Sequence, residues 1–108
     1  MTPEGKVKRK IKAWLLVNLP GPIWFYWAPG GAFGKAGTPD LLMCWRGVFI
    51  AIEVKAEGGT LTALQINALK ELQAAGAVAA VVRGYDVARL EAIKQLAMQK
   101  ASKTYELA

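Results

Sequence analysis

The stretch "DLLMCWRGVFIAIEVKA" (residues 40–56) constrains the fold more than any other part of the chain. It sets two runs of strand-forming residues on either side of Arg46-Gly47. A two-residue break between such runs reads as a hairpin turn. Trp45 then faces Val48 and, counting outward, Asp40 sits opposite Glu53. A four-residue loop keeps this register, whereas a three-residue loop shifts it by one and separates the two acids. Alternation puts Asp40, Leu42, Cys44, Phe49, Ala51, Glu53 and Lys55 on one face, with the bulkier apolar set from Leu41 to Val54 on the other. The expected hairpin is buried on both faces near its turn and becomes charged on one face at its open end.

The flanking segments supply the other elements. Thr2-Pro3-Glu4 offers a capping hydroxyl, a proline at the first helical position and an acid in the first turn. Val7, Ile11, Trp14 and Leu15 then recur at helical spacing until "LPGP" (19–22) stops the helix. "IWFYW" (23–27) reads as a strand. "APGGAFGKAGTPD" (28–40) is a glycine-rich loop without the order of a nucleotide P-loop, so no nucleotide cofactor is expected. It is either a mobile loop that touches backbone phosphates or structural slack. After "EGGT" a helix is expected from about Thr62 to Ala75, with Ile66, Leu69 and Leu72 inward and Gly76 closing it. "AVAAVVR" (77–83) reads as a short buried strand. Asp86 caps a last helix to about Lys100, with Val87, Leu90, Ile93 and Ala97 on its stripe. The order α-β-β-β-α-β-α, without internal repeats, predicts one α/β domain over residues 1–108.

Composition narrows the chemistry. The chain has 108 residues and no histidine, which removes His-based general bases, Ser-His-Asp triads and His-ligated zinc. A single cysteine, Cys44, excludes an internal disulfide framework and suggests a reducing, cytoplasmic setting. The apolar run Ala13 to Val17 is too short for a membrane span or a signal-peptide core, so no membrane role is expected. Formal charge is +6, and five of the 14 basic residues (Lys6, Lys8, Arg9, Lys10 and Lys12) crowd into "KVKRKIK". Such clustering fits a polyanionic partner, nucleic acid before membrane, or else a solvated helix face.

Catalysis in such a chain must run on carboxylates, lysine and an oxygen-ligated metal. In the expected register the Cβ atoms of Asp40 and Glu53 lie ~5 Å apart, and two facing carboxylates repel unless a positive charge sits between them. Lys55 projects from the same face and offers part of that charge. A divalent cation serves better, since Mg²⁺ favours one or two carboxylates together with water and phosphate oxygens. The alternative is a Lys55 salt bridge on a solvated strand end. Gln65 has an equally plain alternative, because Thr62 to Gln65 spells a capping box.

At this spacing "GTPDLL" and "AIEVKAEGGTLTALQ" together resemble the PD-(D/E)XK nuclease superfamily. Within it they look like the VRR-NUC branch, which has stand-alone members in phages. The resemblance runs from about Glu4 to Ile93. It implies a restriction-endonuclease-like core, a mixed β-sheet flanked by helices. By the same resemblance Asp40 and Glu53 hold Mg²⁺, with Mn²⁺ able to substitute, helped by the backbone carbonyl of Val54. Lys55 orients or polarises the attacking water, and Gln65 opens the next helix beside the site. Glu4 is the only upstream acid that could join the metal from the first helix, although it also fits a helix-dipole role.

The expected function is therefore Mg²⁺-dependent, structure-selective DNA cleavage. Resemblance suggests four-way junctions as substrate, and "KVKRKIK", Lys35 and Arg46 are the candidate phosphate contacts. A non-catalytic DNA-binding module or an RNA-processing nuclease of the same fold are the alternatives. The aromatic strand also suggests a homodimer. Trp24 and Tyr26 face one side and Ile23, Phe25 and Trp27 the other, and one small core cannot cover both faces unless the first and last helices take one each.

Overall fold

The computed structural model describes residues 2–29 and 35–101. Residues 30–34 of the glycine-rich loop lie outside that range, so the expectation for that loop is described only at residues 28–29 and 35–40. Helix α1 (Pro3–Asn18) begins where the Thr2 hydroxyl accepts the Gly5 N–H at 3.0 Å. Strand β1 (Trp24–Trp27) follows, then β2 (Leu41–Trp45) and β3 (Val48–Lys55). Helix α2 (Ala63–Ala74), strand β4 (Val78–Arg83) and helix α3 (Val87–Lys100) complete the order expected from the sequence. Asp86 caps α3 by accepting the Arg89 N–H at 3.0 Å.

The four strands line up as β1-β2-β3-β4. The first three are antiparallel, and β4 runs parallel to β3 after the crossover through α2. Arg46 and Gly47 both adopt positive φ, +49° and +79°, as the tightest hairpin turn requires. Trp45 accordingly pairs with Val48 and Leu41 with Ile52, the register expected from the alternation.

The two faces of the sheet are unequally covered. Helices α1 and α3 pack on the same face, where Ile11, Leu15, Leu90 and Ile93 meet Leu41, Met43, Ile50 and Ile52 in the main core. The Trp45 indole N–H is satisfied there by the Pro20 carbonyl at 2.9 Å. On the opposite face α2 buries only a small cluster around Ala51, Leu69 and Ala79.

Several burial expectations therefore change. Cys44 and Phe49 are exposed, so near its turn the hairpin is buried on one face rather than both. Burial on both faces begins at Ala51 and reaches Glu53. Ile66 and Val87 are likewise exposed, 40% and 44%, because α2 presents Leu69 and α3 presents Leu90 and Ile93 inward instead. The first and last helices do not divide the faces between them. Phe25 and Trp27 pack on the main core, while Trp24 (61% exposed) and Tyr26 (45%) stack on each other, uncovered, at 6.0 Å.

Candidate metal centre and nucleic-acid interface

The open end of the hairpin gathers the charged residues. Asp40 directly precedes β2, and its carbonyl accepts the Ala28 N–H at 2.8 Å, which ties it to the end of β1. Its side chain crosses to β3, where Oδ2 accepts the Val54 N–H at 2.8 Å. In an antiparallel pair a residue's N–H and C=O face the same neighbour. The Val54 carbonyl therefore faces the Asp40 side as well.

Glu53 is 2% exposed, the one buried charged residue among those described. Its Oε2 accepts the Gln65 Nε2 at 3.3 Å and lies 3.6 Å from Lys55 Nζ. Burial foremost, and the Asp40 carboxyl next, push the Glu53 carboxyl up from 4.5 to about 7; Lys55 pulls the other way, and Glu4 adds a little to the rise. One lysine does not offset the cost of a buried acid facing another acid.

Gln65 both completes the capping box and lies beside Glu53. Its Oε1 accepts the Thr62 N–H at 2.9 Å while the Thr62 hydroxyl accepts the Gln65 N–H at 3.2 Å, so the capping box is complete. The other end of the same amide reaches Glu53. Gly37 sets the distance between the "GTPD" loop and α2. Its φ is +84°, and a Cβ there would lie 2.5 Å from the Leu64 carbonyl oxygen. Only glycine lets the loop carrying Asp40 approach the helix carrying Gln65 so closely.

Lys8 has a contact that its sequence position does not reveal. Its position in "KVKRKIK" groups it with the phosphate contacts, yet its Nζ lies 3.3 Å from Asp40 Oδ1 and 3.6 Å from Glu4. The i, i+4 spacing from Glu4 is the available signal, but only the fold brings α1 over the end of β2. Among the described residues no three Asp, Glu or Cys side chains converge tightly enough to hold a metal together. The close acids are Asp40 and Glu53, and Glu4 joins them through Lys8.

The other candidate phosphate contacts are spread over α1, the glycine-rich loop and the hairpin turn. Lys6, Arg9, Lys10, Lys35 and Arg46 are exposed. Lys10 lies over the Tyr85 ring at 5.9 Å, Lys12 over Phe25 at 5.6 Å and Arg46 over Trp45 at 5.2 Å. Arg46 sits in the hairpin turn, at the end of β3 opposite Glu53. A cleft of about 550 Å³ lined by Lys6, Lys10, Glu57 and Tyr85 runs past the end of β3. A cleft of about 590 Å³ lined by Phe49, Leu72 and Lys100 lies at the turn end, away from the carboxylates.

A mixed sheet with an aspartate and a Glu-x-Lys at the open end of its central hairpin is the arrangement of a nuclease-fold domain. Similarity to known proteins gives the family. A model of the VRR-NUC domain matches residues 32–86, and the chain belongs to the VRR-NUC family. One solved VRR-NUC domain shares 25% identity and superposes with a TM-score of 0.68, over 88% of this chain and 97% of the other. A second, described as a VRR-NUC domain protein, has the same fold at 22% identity and a TM-score of 0.71, over 96% and 94% of the two chains. No curated protein matches the chain. Among the described residues no helix is long and apolar enough to cross a membrane.

Proposed function

We propose that this protein is a Mg²⁺-dependent DNA endonuclease. The observation that carries the reading is the buried Glu53 facing Asp40, with its proton held up to about pH 7 and a lysine and a glutamine on one oxygen. Such a pair is costly to keep and suits a divalent cation. The donor set fits Mg²⁺: oxygens of Asp40 and Glu53 and the Val54 carbonyl, with no sulfur or imidazole. Mn²⁺, with similar ligand preferences, should substitute. When bound, the cation would lower the pKa of an attacking water and stabilise charge on the leaving oxygen.

The chain's own groups do the rest. Val54 N–H and Gln65 Nε2 fix one oxygen of each carboxylate. Lys55, 17% exposed and 3.6 Å from Glu53, holds an ammonium where a water or a phosphate oxygen would meet it. Lys6, Arg9, Lys10, Lys12, Lys35 and Arg46 supply phosphate contacts that position DNA without reading its sequence. Without an evident reader of base edges in the sequence, structure-selective cutting fits better than sequence-specific cutting, and the family resemblance makes branched DNA, four-way junctions first, the substrate to test. The uncovered Trp24–Tyr26 face suits a second copy of the chain, and a two-fold dimer would set two sites for paired cuts. One unpaired cysteine fits work in the cytoplasm.

The test incubates the protein with linear, flapped and four-way DNA, in Mg²⁺ or in EDTA. Mg²⁺-dependent cleavage that is lost in Glu53→Gln and Lys55→Ala, with DNA still retained in a gel shift, is the expected result. Full cleavage by either variant refutes the assignment. Binding without cleavage by the unaltered protein points to a DNA-binding module, and cleavage of RNA alone to a processing nuclease.

A further inference from the structure

We propose that Lys8 is the resident counter-ion of the metal site, which an arriving divalent cation displaces and which then passes to a backbone phosphate of DNA. The inference rests on the reading of Asp40 and Glu53 as metal ligands. Its ground is the occupancy of individual oxygens. Asp40 Oδ2 is committed to the Val54 N–H at 2.8 Å, and Oδ1 faces Lys8 Nζ at 3.3 Å. Glu53 Oε2 is shared by Gln65 and Lys55 at 3.3 and 3.6 Å, and the same carboxyl also lies against that of Asp40. The Asp40 oxygen that takes no backbone hydrogen bond is the one that Lys8 faces.

The hold is loose. Separations of 3.3 and 3.6 Å exceed the ~2.7–2.9 Å of a tight charge-assisted hydrogen bond. The Lys8 side chain is also 33% exposed, so its ammonium has a way out to solvent. An ammonium and a dication drawn to the same carboxylate oxygen repel each other at close range, so a bound cation pushes the Lys8 ammonium outward. Once released, Lys8 remains on α1 among the exposed Lys6, Arg9 and Lys10, where a phosphate that binds the helix would meet it. Metal and DNA would then assist each other's binding, because each disposes of the ammonium in the way the other requires, and such coupling is reciprocal.

Calorimetric titration with Mn²⁺ alone, at physiological salt, tests the first half. Lys8→Met should bind Mn²⁺ about tenfold more tightly than the unaltered protein, a difference of about 1.4 kcal/mol. Lys94→Met, which removes an equal charge from the Glu91 pair on α3, should not change the affinity. Asp40→Asn should weaken it. Unchanged affinity in Lys8→Met while Asp40→Asn weakens binding overturns the counter-ion role and leaves the metal site standing. An Asp40→Asn protein that binds as well as the unaltered one overturns the metal reading itself. Lys8→Gln, closer in shape and polarity, serves if the methionine variant does not fold.

Fluorescence anisotropy with labelled four-way DNA tests the hand-over. Ca²⁺, which shares the oxygen preference of Mg²⁺, should raise DNA affinity over EDTA by a larger factor in the unaltered protein than in Lys8→Met. Equal factors overturn the hand-over.

Discussion

Glu53→Gln should make the metal-free protein more stable at pH 8. In the folded chain the Glu53 carboxyl titrates at about 7, against an ordinary value of 4.5. Between those values the folded state holds a proton that the unfolded state has released. Stability therefore falls as pH rises through this window; the contribution is fully present below 4.5 and lost above 7. At ~1.36 kcal/mol per pH unit the ceiling is ~3 kcal/mol. Gln is neutral throughout, nearly isosteric, and its carbonyl oxygen can still accept from Gln65 and Lys55. Loss of the Lys55 ion pair offsets part of the gain, so ~1–3 kcal/mol is expected, or roughly 4–8 °C per kcal/mol in a domain of this size. Urea unfolding followed by the fluorescence of the four tryptophans, in EDTA from pH 4.5 to 8, measures it. The two proteins should agree at the acid end and diverge as pH rises. Adding Mg²⁺ at pH 8 should stabilise the unaltered protein and leave Glu53→Gln nearly unmoved. Stability curves that run parallel across the whole range would refute the argument, because burial of Glu53 would then not be relieved by a proton.

Other consequences are open to measurement. Neutralising Lys6, Arg9 and Lys10 together should weaken DNA binding similarly across sequences and flatten the log–log salt slope by ~0.9 for each phosphate no longer neutralised; an unchanged slope would mean that this face only meets solvent. Gly37→Val combines a positive φ with a Cβ 2.5 Å from the Leu64 carbonyl oxygen, so it should lower stability by ~2 kcal/mol or more and reduce cleavage more than DNA binding, read by thermal melts and cleavage rates. The uncovered Trp24–Tyr26 face predicts a dimer at micromolar concentration that Trp24→Asp converts to monomer, and sedimentation equilibrium showing monomer throughout would remove the dimer.

The register of the hairpin is legible because it depends only on local facts. Arg46 and Gly47 interrupt two alternating runs, and a period of two then fixes the partners from Trp45–Val48 to Leu41–Ile52, the pair next to Asp40 and Glu53. Helix starts are legible for the same reason, since Thr2, Thr62 and Asp86 each cap within three residues. Cover is not legible. Alternation in β2 and β3 assigns residues to faces but does not say what packs on them. Cys44 and Phe49 are exposed because α1 and α3 share one face and α2 covers only part of the other. Lys8 looks like its basic neighbours because charge alone cannot separate them; the distance from α1 to the end of β2 does so, at 3.3 Å to Asp40. Gln65 holds two readings that no sequence pattern can rank, and in the fold one amide makes both contacts, accepting from the Thr62 N–H and donating to Glu53. Sequence by itself determined the elements, their order and the pairing of the two acids, since those follow from spacing along the chain. Tertiary structure alone decided which face is dry and which lysine stands against Asp40, because burial and charge pairing depend on residues far apart in the chain.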